Sequence, residues 1–366
     1  MRLRHLAVSN FRNISTLHIE PGERFNLFYG LNGQGKTNLL EAIHLLGNPR
    51  SFRTSRLPEL IRHGESRSQV RGAVESNGIQ NQLRLMLETG GRRVEIDGKA
   101  VHRASELHGK LNAVVFSPDD SGMVRMGPET RRRYLDRAVY MGDIGYLHCW
   151  HDYQRILKQR NVLLKSADRS GLDVWTEKLA EAGAEVIERR IRFVAVLEIK
   201  LRKHYATISG HGEACGISYR PDGVLSLERE QIRNELMSLF QRHERSDERY
   251  GTTTAGPHRD DLTFLLEDRP LKAFGSQGQQ KSFVLSLKMA EMDNLHEIFG
   301  ESPLLLLDDM SSELDAGRNR NLMEFLIARD IQVFITTTER SPALLEAAPH
   351  CAVFRVEDGN LTFEGK

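Results

Sequence analysis

Cysteine is scarce in this chain: Cys149, Cys215 and Cys351 stand far apart, odd in number and without a C-x-x-C spacing. That excludes a disulfide framework and a structural zinc site and points to a reducing, cytoplasmic compartment. Long apolar runs are missing too. No run of about 18 apolar residues occurs, so no segment is expected to span a membrane. Met1-Arg2-Leu3-Arg4-His5-Leu6 passes directly into polar sequence, without the apolar core of a secretory signal. Net charge is nearly absent. The 51 Lys and Arg against 50 Asp and Glu leave +1, so any basic surface for nucleic acid has to come from local clustering. Aromatic residues make up 7%, and no aromatic-rich stretch offers a platform for stacking bases. The rest is ordinary. With 39% hydrophobic and 28% charged residues over 366 positions, the chain can bury a sizeable core, as two units or as one with a large insertion.

Against that background one stretch stands out, Gly30-Leu31-Asn32-Gly33-Gln34-Gly35-Lys36-Thr37. It fits G-x-x-x-x-G-K-[ST], with Phe25 to Tyr29 reading as a buried strand before it and Asn38 to Ile43 as a helix start after it. Backbone N–H groups of a glycine-rich turn at a helix start form a socket for polyphosphate. Lys36 then reaches the β and γ phosphates, and Thr37 sits on Mg²⁺.

The remaining sequence alternates in character. Residues 3–8 and 14–19 read as short strands around the turn Asn10-Phe11-Arg12-Asn13, with a further turn at Pro21-Gly22. From 70 to 116 the pattern is β, with Asp97-Gly98 as a type I′ hairpin signal and Ala113 to Phe116 as a buried strand. From about 125 to 245 it becomes helical and rich in arginine. Ile187, Ile191 and Val194 recur at helical spacing among Arg189, Arg190 and Arg192, which reads as an amphipathic helix with a basic exterior. Arg131-Arg132-Arg133, and Lys158 with Arg160, are basic clusters: solvated helix faces taken singly, a track for a phosphate backbone taken together. After Gly251 the β character returns at Leu262 to Leu266. Gly275-Ser276-Gln277-Gly278-Gln279-Gln280-Lys281 then forms a small polar loop opening a helix at Ser282, a second anion-binding geometry, although a plain helix cap at Ser276 has similar local form.

Pro303 to Leu307 is a wholly apolar strand ending in Asp308 and Asp309. A phosphate loop requires such a carboxylate to hold Mg²⁺, and Asp308 is placed for it; Asp309 is then placed to orient or deprotonate the attacking water. The loop and the carboxylates lie so far apart in sequence that the helical region must be inserted within the nucleotide-binding unit. The expected fold is α/β: an ABC-ATPase-like P-loop head with mixed β-sheets, formed by residues 1–122 and 250–366, carrying an inserted, mainly helical second lobe at 123–249.

Taken together, the motifs resemble the RecF family, bacterial recombination mediators related to the heads of SMC ATPases. The resemblance is carried by Asn10-Phe11-Arg12-Asn13, the phosphate loop, Phe116-Ser117-Pro118-Asp119-Asp120, Arg131 to Asp136, Leu157 to Asn161, Gly256-Pro257-His258-Arg259-Asp260-Asp261, Ser276 to Lys281, and Leu307 to Asp315. It implies an ATP-dependent homodimer in which ATP lies between the phosphate loop of one subunit and the signature loop of the other. Ser276 and Gly278 would then act in trans, Arg12 and Asn13 would lie near the nucleotide, and Asp315 would sit at the dimer seam. It also implies binding to DNA at single-strand to double-strand junctions and gaps, and cooperation with RecO and RecR in loading the recombinase.

Two departures from cassette ATPases point to slow hydrolysis. Asp309 stands where Glu is usual, and Thr336-Thr337-Thr338 occupies the place of a switch histidine. A shorter carboxylate reaches water less well, and threonine does not share a proton as histidine does. The expectation is a weak ATPase serving as a switch, with DNA stimulating it. The competing readings are another ABC-type or SMC-like clamp without a recombinase-loading role, a transporter ATPase, and a metabolic phosphoryl transferase. His258, in a Gly-Pro turn, reads as a structural residue before a catalyst.

Overall fold

The computed structural model describes residues 1–210, 212–309, 316–340, 345–346, 348 and 350–365. The chain divides into two compact units. The first combines Met1–Asp120, Thr207–Gly210 and Val284–Lys366, and the second Ser121–Ala206 and His211–Phe283.

The first unit holds two six-stranded sheets. One is antiparallel, built from β1 (Arg2–Phe11), β2 (Ile14–Ile19), β4 (Arg67–Ser76), β5 (Ile79–Glu88), β6 (Gly91–Ile96) and β7 (Lys99–Ala100), in the order β2-β1-β4-β5-β6-β7. Its hairpins are short because the turn residues accept positive φ. Asp97 and Gly98 have φ of 51° and 77°, as the type I′ signal requires, and Asn77 and Gly78 repeat it at 49° and 74°. The other sheet contains β3 (Phe25–Tyr29), β8 (Ala113–Phe116), β12 (Leu304–Leu307), β13 (Val333–Thr337), β14 (Ala352–Glu357) and β15 (Asn360–Gly365), in the order β15-β14-β3-β13-β12-β8. All its pairings except β14 with β15 are parallel. Parallel strands covered on both faces are apolar along their whole length, which is why Leu304–Leu307 reads as four leucines. The helix Lys36–Gly47 shares one core cluster with residues of both sheets, and it is buried around its circumference. Its apolar positions therefore do not form a single stripe.

The second unit is built mainly from the helices Pro128–Gly142, Ile144–Lys165, Leu172–Ser209 up to Ala206, and Arg229–Tyr250, together with a small three-stranded sheet. In that sheet β9 (Cys215–Tyr219) pairs antiparallel with β10 (Leu262–Leu266), which pairs with β11 (Arg269–Pro270). This corrects the expected lobe boundary. Residues 250–283 fold with the helical unit rather than with the ATPase unit, because β10 finds its partner in β9, a strand inside the region read as mainly helical. The helix Gln277–Phe299 opens five residues before the expected start at Ser282, and it passes from the second unit to the first after Phe283. Among the described residues, no helix is long and apolar enough to cross a membrane.

Candidate nucleotide site

In open parallel sheets, ligands bind beyond the carboxyl ends of the strands. Here β3, β12 and β13 end together, and the phosphate loop leaves β3. Gly35 has φ of +105° directly before the helix, and a Cβ on it would lie 2.6 Å from Asn13 Oδ1. A side chain is therefore excluded twice, by conformation and by contact. Asn13 braces the loop by donating from Nδ2 to the Gln34 carbonyl at 3.0 Å and accepting from Asn38 Nδ2 at 2.8 Å. The turn at Asp358 and Gly359 braces it again, with the Gly359 N–H on the Gln34 carbonyl at 2.9 Å and the Asp358 N–H on Gln34 Oε1 at 2.6 Å. Leu31, Asn32 and Gly33 are exposed.

The Lys36 ammonium donates to the carbonyls of Gly30 and Leu31, the latter at 2.9 Å. Burial lowers its pKa, while Asp309 and Asp308 oppose that shift. The Thr37 hydroxyl lies 2.9 and 2.8 Å from the two Asp308 carboxylate oxygens. Burial pushes the Asp308 carboxyl up, against the hydrogen bonds from Thr336 and Thr37. Thr336 is the residue that sequence reasoning missed. The sequence marks this position only by the lack of a histidine, yet its Oγ1 donates to Asp308 Oδ1 at 2.7 Å and accepts the Asp309 N–H at 2.9 Å. It thereby holds Asp309 at φ 51°, a left-handed conformation that aspartate tolerates better than most residues. A buried threonine at the end of a strand adjacent to the carboxylates was the available signal.

A hydroxyl and a carboxylate in contact are the hard oxygen donors that suit Mg²⁺, which takes one or two carboxylates and fills its remaining positions with water and phosphate. Among the described residues no group of three or more His, Cys, Asp or Glu could hold a metal. Arg12 binds the helix that follows the loop. Its guanidinium grips Glu41 with both arms, Nε to Oε2 at 2.9 Å and Nη2 to Oε1 at 3.0 Å, and Glu41 is wholly buried on the helix that starts at Lys36. Arg12 thus fixes the phosphate-loop helix, whereas Asn13 fixes the loop itself.

In the second unit, Ser276 is exposed and caps the helix Gln277–Phe299. Its N–H donates to Gln279 Oε1 at 2.7 Å, and its Oγ accepts the Gln279 N–H at 3.2 Å. This is a reciprocal S-x-x-Q capping box. Gly278 lies in the first turn. Asp315 lies outside the described residues.

The family model described as "RecF/RecN/SMC N terminal domain" matches residues 2–362. The protein from Trichlorobacter lovleyi named "DNA replication and repair protein RecF" is 50% identical over 365 residues, covering 100% of this chain and 99% of that one. The chain belongs to the RecF family. A protein of the same name from Geobacter sulfurreducens is 47% identical over 99% of this chain and 100% of its own. A solved structure titled as the recombination mediator protein RecF with ATP in the RecFOR pathway has a TM-score of 0.90 at 34% identity, covering 99% of each chain. An Smc head bound to the C-terminal winged-helix domain of ScpA has a TM-score of 0.58 at 14% identity, a likeness of fold alone.

The basic clusters of this RecF-family chain do not form the surface expected of them. Arg131 is 8% exposed and pairs with Asp261 through two bonds of 2.9 and 2.7 Å, and Arg160 is 2% exposed and pairs with Asp247. Both are corrected from DNA contacts to internal struts, since a guanidinium that is itself buried and paired with a carboxylate does not reach a DNA phosphate. Arg190 likewise leaves the basic exterior. It is fully buried, with its guanidinium donating to Asp136, Tyr146, Tyr219 and the Pro257 carbonyl. Arg133 and Lys158 are exposed, and Arg132 is half-buried against the Asp260 carbonyl. His258 is structural in this geometry: Nδ1 meets the Tyr153 hydroxyl at 2.6 Å, Nε2 meets the Thr253 carbonyl at 3.1 Å, and burial lowers its pKa to about 4.

Proposed function

We propose that this chain is an ATP-dependent, DNA-binding recombination and repair protein whose nucleotide site is a switch for self-association. The observation that carries the reading is the constellation of Lys36, Thr37, Asp308, Thr336 and Asp309 at the ends of β3, β12 and β13. The names of its relatives support a role in replication and repair, and the ATP and RecFOR titles of the 34%-identical structures support ATP as ligand and RecO and RecR proteins as partners. In this reading Thr37 and Asp308 hold Mg²⁺, which neutralises phosphate charge when bound. Lys36 exchanges its carbonyl acceptors for phosphate oxygens, which accept more strongly because they are charged. Ser276 and Gly278 of a second copy close the site, making a homodimer that sits on DNA at gaps between single and double strands. Asp309 orients water for a slow hydrolysis that releases the dimer, in a cytoplasmic setting.

The test is self-association by light scattering with and without ATP and Mg²⁺, repeated with gapped duplex. ATP-dependent dimers that bind the duplex are expected, and a monomer that phosphorylates a small molecule would overturn the reading. Asp309→Asn is expected to dimerise normally and dissociate more slowly, because the carboxylate is needed only after the nucleotide is enclosed. Turnover on the order of hundreds per second would rule out a timed switch.

A further inference from the structure

Three glutamines follow Ser276 in the first turns of the helix, and two of them, Gln279 and Gln280, have their amides turned by a charged residue from elsewhere in the second unit. Glu213 Oε1 accepts from Gln279 Nε2 at 2.6 Å. A carboxylate accepts and does not donate, so it selects which end of the amide faces it. The Gln279 oxygen is thereby turned towards the Ser276 N–H; the flipped amide would set NH₂ against N–H, donor against donor. The other Glu213 oxygen takes the hydroxyl of Tyr205, fully buried on the helix Leu172–Ser209, at 3.0 Å.

Arg125 does the opposite for Gln280. Its Nε donates to Gln280 Oε1 at 2.8 Å, and the amide nitrogen is left to donate to the Gly275 carbonyl at 2.9 Å. A guanidinium has donors only, so this orientation is also single-valued. Gln280 is 5% exposed, which makes a wrongly turned amide costly. An ordinary capping box requires only Ser276 and Gln279. Here two charges drawn from outside that box fix two amides, and those amides hold two consecutive residues of the backbone.

We propose that Glu213 and Arg125 are positioning residues of the signature loop. Through Gln279 and Gln280 they hold Ser276 and Gly275 so that the Ser276 hydroxyl proton, and the first-turn N–H groups of Gln277 and Gly278, remain available to the triphosphate bound by a second copy. This rests on the reading that Ser276 acts in trans. Neither residue belongs to a motif that marked the family.

The experiment uses the full chain with ATP, Mg²⁺ and gapped duplex, and compares Glu213→Ala, Arg125→Ala and Arg125→Lys with Ser276→Ala. Turnover, affinity for a fluorescent ATP analogue and the thermal midpoint are read for each. Loss of one orienting hydrogen bond to a charged group is expected to lower kcat about tenfold. Analogue affinity at the phosphate loop should be unchanged, and Arg125→Lys should recover part of the rate. The decisive readout is mixing. Each alanine variant combined with Lys36→Met should regain turnover, because one composite site of the mixed dimer then has an intact phosphate loop facing an intact signature loop. A defect in folding is not repaired that way. If Ser276→Ala loses turnover while Glu213→Ala and Arg125→Ala keep theirs, or if mixing restores nothing to these two, the positioning role is wrong. Full turnover in Ser276→Ala would overturn the trans site itself and the positioning role with it.

Discussion

Replacing Lys36 by Met is expected to abolish ATP-driven self-association and ATP turnover together while leaving the fold intact. The phosphate loop's own carbonyls hold this ammonium in place, and without it the triphosphate loses a charge-assisted partner. Affinity for ATP should fall on the order of a hundredfold, which corresponds to about 2.7 kcal/mol. Stability should not fall with it. Burial lowers the Lys36 pKa, so the folded chain disfavours that charge relative to water, and a methionine removes the penalty while retaining the stem. The sign can be checked by pH. A depressed lysine pKa means the unfolded chain binds more protons, so folding stability gained as pH rises through the folded pKa towards the ordinary lysine value should be missing in Lys36→Met. Fluorescent-nucleotide titration, light scattering and urea unfolding measure the three effects. A variant that still dimerised with ATP would end the sandwich model, because dimerisation would not then pass through the phosphate loop.

The nucleotide site was legible in the sequence because its chemistry is local. Gly30 to Thr37 carries its own glycines, lysine and threonine, and Leu304–Leu307 announces a covered parallel strand before its two aspartates. The helical unit was less legible, for a physical reason. A run of arginines has the same pattern whether it faces water or an internal carboxylate, and the partners Asp247 and Asp261 lie far away in sequence from Arg160 and Arg131, while Asp136 is separated from Arg190 by a whole intervening helix. The strand Cys215–Tyr219 lies between two long helices, and its partner Leu262–Leu266 reads from sequence as part of the other lobe. Thr336 reads from sequence as a residue that shuttles no proton, whereas its hydroxyl matters as a bridge between two neighbouring carboxylate residues. Each miss involves a contact across the chain, which periodicity does not reveal.

Arg160→Met is expected to lower folding stability by about 3–5 kcal/mol, the range for breaking a buried ion pair by removing one member. The Arg160 and Asp247 side chains are 3% and 0% exposed. Arg160 gives Nη1 to Asp247 Oδ2 and to Thr253 Oγ1, both at 2.7 Å, and Nε to Thr176 Oγ1 at 2.9 Å. Without it, the Asp247 carboxylate keeps only neutral donors, the N–H and hydroxyl of Thr254 at 2.8 and 2.7 Å, inside a region closed to water. Thr253 would lose one of its anchors, and its carbonyl is what holds His258 Nε2, so the loss should spread into the turn before β10. The double variant Arg160→Met with Asp247→Asn should recover much of the stability, since no uncompensated charge remains buried. Lys158, two residues earlier and exposed, provides the contrast. Lys158→Met should leave the urea midpoint unchanged and reduce the salt dependence of duplex binding by about one phosphate contact. The two arms exchange places if the basic helix instead meets DNA through Arg160. In that case Arg160→Met would keep its midpoint and lose duplex affinity, and the pairing with Asp247 would have to open when DNA binds.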